Sequence, residues 1–273
     1  KLIRGEFLYD GCCWPRRREG MMLTTNPFAA LNDYVSPLVL QAYLVLMVLG
    51  VAAGTLFDVY HKGSAKFFAQ RKEKSRAAAT RQVSGGQTFA LALETIAEAA
   101  VSGEFCKWPR RTSPLLMMYG FFFYAITSAA MVFYCPGAAQ TPAILPALWT
   151  IGASMILIGG LWFFFFLRVN VAFDGDSPFH LGRADLFVGS LIASACFALI
   201  WDFLEKSYAN QAAAWTAFGL YILFTTLLFL SVPWSKFAHM FFKPAVAFER
   251  RVEEANGSSD LPSPTNQNFI VRS

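Results

Sequence analysis

Residues 37–60 read PLVLQAYLVLMVLGVAAGTLFDVY, a proline followed by apolar side chains with no charge before Asp58. A helix crossing the hydrocarbon core of a bilayer needs roughly 20 mainly apolar residues, and this stretch supplies them. Four more stretches do the same, at 114–135, 142–168, 184–204 and 212–233. Helix breakers mark their ends: Pro136-Gly137 closes the second, Pro142 and Pro146 open the third, and Pro233 ends the fifth. In lipid every backbone polar group must be satisfied internally, and the alternating ten-residue segments of a barrel are missing. The sequence therefore predicts an all-α integral membrane protein with five transmembrane helices, a helical loop on the cytoplasmic side and a flexible C-terminal tail.

Composition agrees with a lipid solvent. Of 273 residues 55% are hydrophobic and only 15% charged, with 28 Phe, and the mean hydropathy is +0.41. The net charge of +5 would suit nucleic acid in a soluble protein, but cations gathered beside apolar spans record topology instead. Five cysteines, at 12, 13, 106, 135 and 196, form no CxxC and no metal-finger spacing. The N-terminal segment 1–36 starts at Lys1, and its first twenty residues, with Arg16-Arg17-Arg18, match neither a signal peptide nor a transit helix. That leader is expected to be non-native, with the functional start at Met21 or Met22.

Lys and Arg set the orientation. The 61–113 loop holds Lys62, Lys66, Arg71, Lys72, Lys74, Arg76, Arg81, Lys107, Arg110 and Arg111, and alternation places Arg168, Arg183 and the cations of the 234–273 tail on the same side. Lys206 alone falls on the other side, once the leader is set apart. The positive-inside rule makes the loop-bearing side cytoplasmic, in a bacterial inner membrane. Within the loop, 63–83 reads as a basic helix and 89–101 as an apolar-faced helix lying along the membrane, the two broken apart at Gly85-Gly86. The tail from Asn256 onward has no core-forming residues and reads as extended or disordered.

Histidine supply limits redox chemistry. Haem b in a helix bundle is held by two histidines, and the chain has three, His61, His180 and His239, all mapped to the cytoplasmic side. One haem at most is permitted, with His61 and His239 as its ligands, and haem cannot carry electrons across the membrane. A quinone pocket is the competing use of the same end, because a quinone head needs donors for its carbonyls and a proton source within apolar walls. Asp58, His61 and Lys62 end the first span, and Trp234, Lys236 and His239 follow the fifth. The same Trp and Lys residues also suit plain interfacial anchoring. Gly159-Gly160 and the Gly50–Gly54 pair read as close helix contacts. No nucleophile elbow, Walker loop or zinc-protease motif occurs.

The strings Trp234-Ser-Lys-Phe-Ala-His239-Met-Phe-Phe-Lys-Pro244, Gly103-Glu-Phe-Cys106 with Arg110-Arg111, and Gly159-Gly160 with Trp162 resemble the membrane anchor subunit of dissimilatory adenylylsulfate (APS) reductase. The likeness runs from about Asn26 to Pro262. More distantly the layout is similar to the quinone-interacting oxidoreductase membrane subunit and to the nitrate reductase gamma subunit. The resemblance implies a partnership with the soluble alpha and beta subunits of a flavin and iron–sulfur enzyme that interconverts sulfite plus AMP with APS. This chain would dock that enzyme and pass its electrons to the quinone pool, without performing the APS chemistry. The haem-bearing relatives place histidines in their second span, which here begins Thr112-Ser113-Pro114-Leu115 and has none. Only His239 falls in a ligand-bearing region, which favours quinone as the cofactor. A purely structural accessory subunit and a small transporter are the other readings, the latter opposed by the Phe163–Phe166 run in the third span.

Overall fold

A computed structural model describes residues 25–61, 63–101, 108–135, 141–168, 185–207, 210–231 and 239–259, with Gly137 and Gly182. Nine α-helices occur among these residues: α1 Pro27–Leu31, α2 Pro37–His61, α3 Ser64–Ala78, α4 Gly85–Ala100, α5 Trp108–Phe133, α6 Ile144–Trp162, α7 Leu186–Ser207, α8 Gln211–Leu230 and α9 His239–Asn256. Five are long and apolar enough to cross a membrane: α2, α5 from Arg110, α6 with its extension to Leu167, α7 and α8. The chain is an all-α, multi-pass membrane protein.

Helix ends differ from the expected bounds for local reasons. The second span begins at Trp108, six residues ahead of Pro114, which sits inside the helix. Proline there gives up one backbone bond, and beside it Ser113 Oγ crosses to the next span, donating to Gly159 O at 2.8 Å. The third span ends in a π-turn over Phe163–Leu167, closed when Arg168 N–H donates to Phe163 O at 2.8 Å. Arg168 then turns back over the Phe164 ring at 4.7 Å and grips Asp185 with two bonds of 2.6 Å. The fourth span runs on to Ser207 because Lys206 reaches back one turn to Asp202 at 2.7 Å, so the two charges neutralise one another at the helix end.

Without a hydrophobic drive between helices in lipid, close packing has to come from small residues and interhelical hydrogen bonds. The tightest pair, α5 and α6, meets through glycine: a Cβ on Gly152 would lie 2.7 Å from Tyr124 N and 2.8 Å from Gly120 O. Gly159, read from the sequence as a contact, is one: its Cβ would meet Leu116 Cβ at 2.9 Å. Helices α7 and α8 share a hydrogen bond between Ser194 and Thr225 hydroxyls at 2.8 Å and stack Trp201 on Tyr221 at 5.9 Å. Helix α2 packs loosely on the outside, only 17% of its apolar window being buried. It is fixed by Gln41 Nε2 donating to Val132 O at 3.1 Å, by Tyr43 beside Thr226 at 3.0 Å, and by Gly50 under Leu230.

At the end of the bundle away from the 61–113 loop, α1 acts as a plug. Asn26 caps it by accepting from Phe28 N at 3.0 Å, and its Nδ2 donates to Cys135 O at 2.9 Å. Phe28 is thereby placed against Trp149 and Trp201, with ring centroids 5.9 and 5.5 Å away. Hydropathy gave no sign of this short helix, although an Asn followed by Pro is a helix-start signal.

Candidate functional site

The residues singled out from the sequence gather around the loop-side end of α2. Asp58 is buried, at 2% exposure, one turn before the helix stops. His61, the last helical residue, is exposed and stacks its ring on Phe57, with centroids 5.4 Å apart and planes 6° from parallel. Both groups stand at one helix end, Asp58 buried and His61 exposed. His239 opens α9; its side chain lies outside the described residues, as do Lys62, Trp234, Lys236 and His180.

Beyond that end, three helices form a platform that the sequence had suggested only as separate pieces. Helix α9, from the tail, packs on α4 and α3, from the loop between the first two spans. Arg71 of α3 holds Glu253 of α9 through two hydrogen bonds, Nε to Oε1 at 2.6 Å and Nη2 to Oε2 at 2.7 Å. That bidentate geometry is the strong form of the pair. The Arg71 hydrogen bonds hold the Glu253 carboxyl below the usual Glu range, against the opposing effect of burial. Glu253 in turn raises the Arg71 guanidinium, chiefly through the same hydrogen bonds. Arg251 bridges across to Glu94 and Glu98 on α4.

The end of α9 is bonded as fully as its middle. Asn256 Nδ2 donates to Ser75 Oγ at 2.9 Å, and its carbonyl accepts from Thr80 N and Arg81 N at 3.0 and 3.1 Å. Gly257 adopts φ +75°, the left-handed turn that lets Ser258 N–H donate back to Glu253 O at 3.0 Å. A Cβ at Gly257 would collide with Thr80 Oγ1. So Asn256 to Ser258 are pinned to the end of α3, where the sequence had suggested extended or disordered chain; residues 260–273 lie outside the described ones.

One correction concerns the loop. Gly85-Gly86 do not separate its helices: they are the first turn of α4, because Ser84 and Gln87 form a reciprocal capping box, with bonds of 3.3 and 3.0 Å, that starts the helix on them. The break lies at 79–84 instead. The far end of α4 is tied to the second span, Tyr119 Oη donating to Ala100 O at 2.9 Å and Arg111 Nε to Val101 O at 2.8 Å. Phe89, Leu93 and Ile96 stay exposed along one side of α4, at the helical spacing of a single apolar stripe.

The signal for the platform was present in the sequence only as charge: acidic Glu249, Glu253 and Glu254 in a tail facing a basic loop. Comparison with protein families, with curated proteins and with solved structures gave no match. Among the described residues no three His, Cys, Asp or Glu side chains gather closely enough to hold a metal ion. What the arrangement offers is a folded, charged surface standing directly beside the His61 end of α2.

Proposed function

We propose that this chain is the membrane anchor and quinone-interacting electron-transfer subunit of a complex, docking a soluble flavin and iron–sulfur adenylylsulfate reductase at the cytoplasmic face of a bacterial inner membrane. The observation that carries the docking half is the platform. Two segments some 180 residues apart are locked together by Arg71–Glu253, yet Lys66, Lys72, Lys74 and Arg76 of α3 remain exposed. Packing of the membrane bundle does not need such a surface, and a basic face of this kind suits an acidic protein partner through complementary charge. The quinone half is supported by buried Asp58 beside exposed His61, with Lys62, Trp234, Lys236 and His239 assigned to the same pocket by the order of the chain and His239 also by the resemblance. A carboxylate and an imidazole at the membrane surface are suited to proton transfer as a quinone is reduced. If haem is present it is single, with His61 and His239 as ligands.

Charge reversal tests docking. Lys66→Glu, Lys72→Glu and Arg76→Glu combined should release the soluble subunits from washed membranes, lowering their retention roughly tenfold or more, while the anchor stays inserted; full retention overturns the docking surface. In the assembled complex, His239→Gln should cut quinone-linked turnover about tenfold, and unchanged turnover defeats the pocket. If quinone analogues leave the complex unaffected, the chain is a structural accessory. A dithionite-reduced alpha band at one haem per chain would assign the two histidines to haem.

A further inference from the structure

Halfway through the bundle, between α2, α5, α7 and α8, lies a cavity of about 300 Å³. Its depth follows from its lining: Leu49 is the central residue of α2, Phe121 is central in the Arg110–Phe133 span, Ile156 is central in the third span, and Tyr221 is central in α8. The cavity opens at the side of α2, where the lining residues Val45, Val48 and Leu49 are themselves exposed on the bundle surface. Among the described residues no charged side chain lines it. Phe121, Phe133 and Phe229 make its walls aromatic.

The deep side of the cavity is polar. Ser194 and Thr225 pair with one another at 2.8 Å, and Ser128 Oγ accepts from Trp149 Nε1 at 2.9 Å while donating to Tyr124 O at 2.7 Å. Those groups are satisfied. The Tyr124 hydroxyl is not: it is buried, no partner meets it at full hydrogen-bond distance and angle among the described residues, and the Tyr221 and Ser194 hydroxyls approach it more weakly. The residue is 8% exposed, and its ring is held in place by stacking on Trp149 at 5.3 Å. A phenol in hydrocarbon with an unmatched O–H costs free energy until an acceptor arrives.

We infer that this cavity binds an uncharged, lipid-soluble ring that carries a carbonyl, entering sideways from the bilayer past α2 and accepting a hydrogen bond from Tyr124. Flat aromatic walls select the ring. The lack of charge selects neutrality. The depth excludes phospholipid ester carbonyls, which stay near the bilayer surface, so the acceptor must come on a molecule that partitions into the middle of the membrane. A volume at the lower limit of small-molecule sites suits one or two fused rings, with any tail left in the lipid. This site is separate from the loop-side pocket proposed above, lying about half a membrane thickness away from it, and does not depend on that assignment.

The test uses the purified full-length chain in nanodiscs and two probes of matched shape, 2-methyl-1,4-naphthoquinone and carbonyl-free 2-methylnaphthalene, with binding followed by equilibrium dialysis. Tyr124→Phe keeps the ring and its stacking and deletes only the hydroxyl. It should weaken the naphthoquinone about tenfold, the loss of one buried hydrogen bond, and leave methylnaphthalene unchanged. Ala129→Phe, filling the cavity from its wall, should abolish saturable binding of methylnaphthalene and the Tyr124-dependent part of naphthoquinone binding, while thermal unfolding shows the variant folded. Equal naphthoquinone affinity in wild type and Tyr124→Phe overturns the inference, as does saturable methylnaphthalene binding that survives Ala129→Phe. The loss on Tyr124→Phe should be the same in a His61→Ala background, where the loop-side pocket is impaired; its disappearance there would move the site to the loop-side end and overturn the mid-membrane assignment, whereas loss of quinone-linked turnover in the complex bears on the loop-side pocket alone.

Discussion

Single glycines decide how closely the spans approach. Gly152 has backbone atoms of α5 on its open side, Tyr124 N at 2.7 Å and Gly120 O at 2.8 Å from where a Cβ would stand. Backbone cannot swing aside as a side chain can, so Gly152→Val must push α5 and α6 apart and loosen the Ser113 bond to Gly159. The expected cost is about 1–3 kcal/mol, the usual range for overpacking, seen as a lower midpoint of thermal unfolding in detergent. Gly219→Val is the internal control, since nothing lies within 4 Å of a Cβ there. Equal midpoints for the two variants would show that the glycine contact is absent. This scale was partly legible in the sequence. Gly159-Gly160 stood out as a pair, but Gly120 and Gly152 did not, because each needs the other for its meaning and they lie on different helices. Asp58 was likewise visible as an ionisable residue near a span end, while its inward direction is set by how α2 leans on its neighbours.

Whole elements meet through charge as well as shape, and here pH gives a handle. Helix α9 is held on α3 by Glu253 and Arg71. The carboxyl titrates lower when docked than when free, because the Arg71 hydrogen bonds favour its charged form. The undocked state therefore binds more protons as the solution is acidified, so docking is at full strength above the ordinary Glu pKa of about 4.3 and is lost as pH falls through the lowered value. With Arg71 about a third exposed and Glu253 nearly covered, the pair is worth about 1 kcal/mol. Hydrogen exchange of amides 245–256, corrected for intrinsic rate, should show protection near pH 7 that declines towards pH 4 in wild type. Glu253→Gln should start lower and lose that part of the pH dependence; an identical pH profile in the variant would refute the role of the pair. The sequence did give α3, α4 and the five spans as helices, since hydropathy and periodicity are local. It did not give the docking of α9, because a contact spanning some 180 residues leaves only complementary charge as its trace.

The five spans found among the described residues give the molecule two ends that face opposite sides of a membrane. On one stands the α3–α4–α9 platform with Arg71, Arg250 and Arg251; on the other α1 plugs the bundle through Phe28, Trp149 and Trp201. The two ends are built for different work, one being a charged surface tied by ion pairs and the other a packed aromatic seal with the Asp202–Lys206 pair beside it. If the cations report on insertion, the platform faces the cytoplasm, as the proposed docking of a soluble reductase requires. The prediction is accessible in cells. In a background with the native cysteines replaced by serine, Lys72→Cys samples the platform and Gln211→Cys the opposite end, both positions being exposed. A membrane-impermeant maleimide should label position 211 in intact spheroplasts and position 72 only after the membrane is opened. The reverse pattern would place the platform outside and remove the docking proposal with it, since the partner would then be in the wrong compartment. Labelling of both positions in intact spheroplasts would contradict the three spans that lie between them, on which the separation of one face from the other rests.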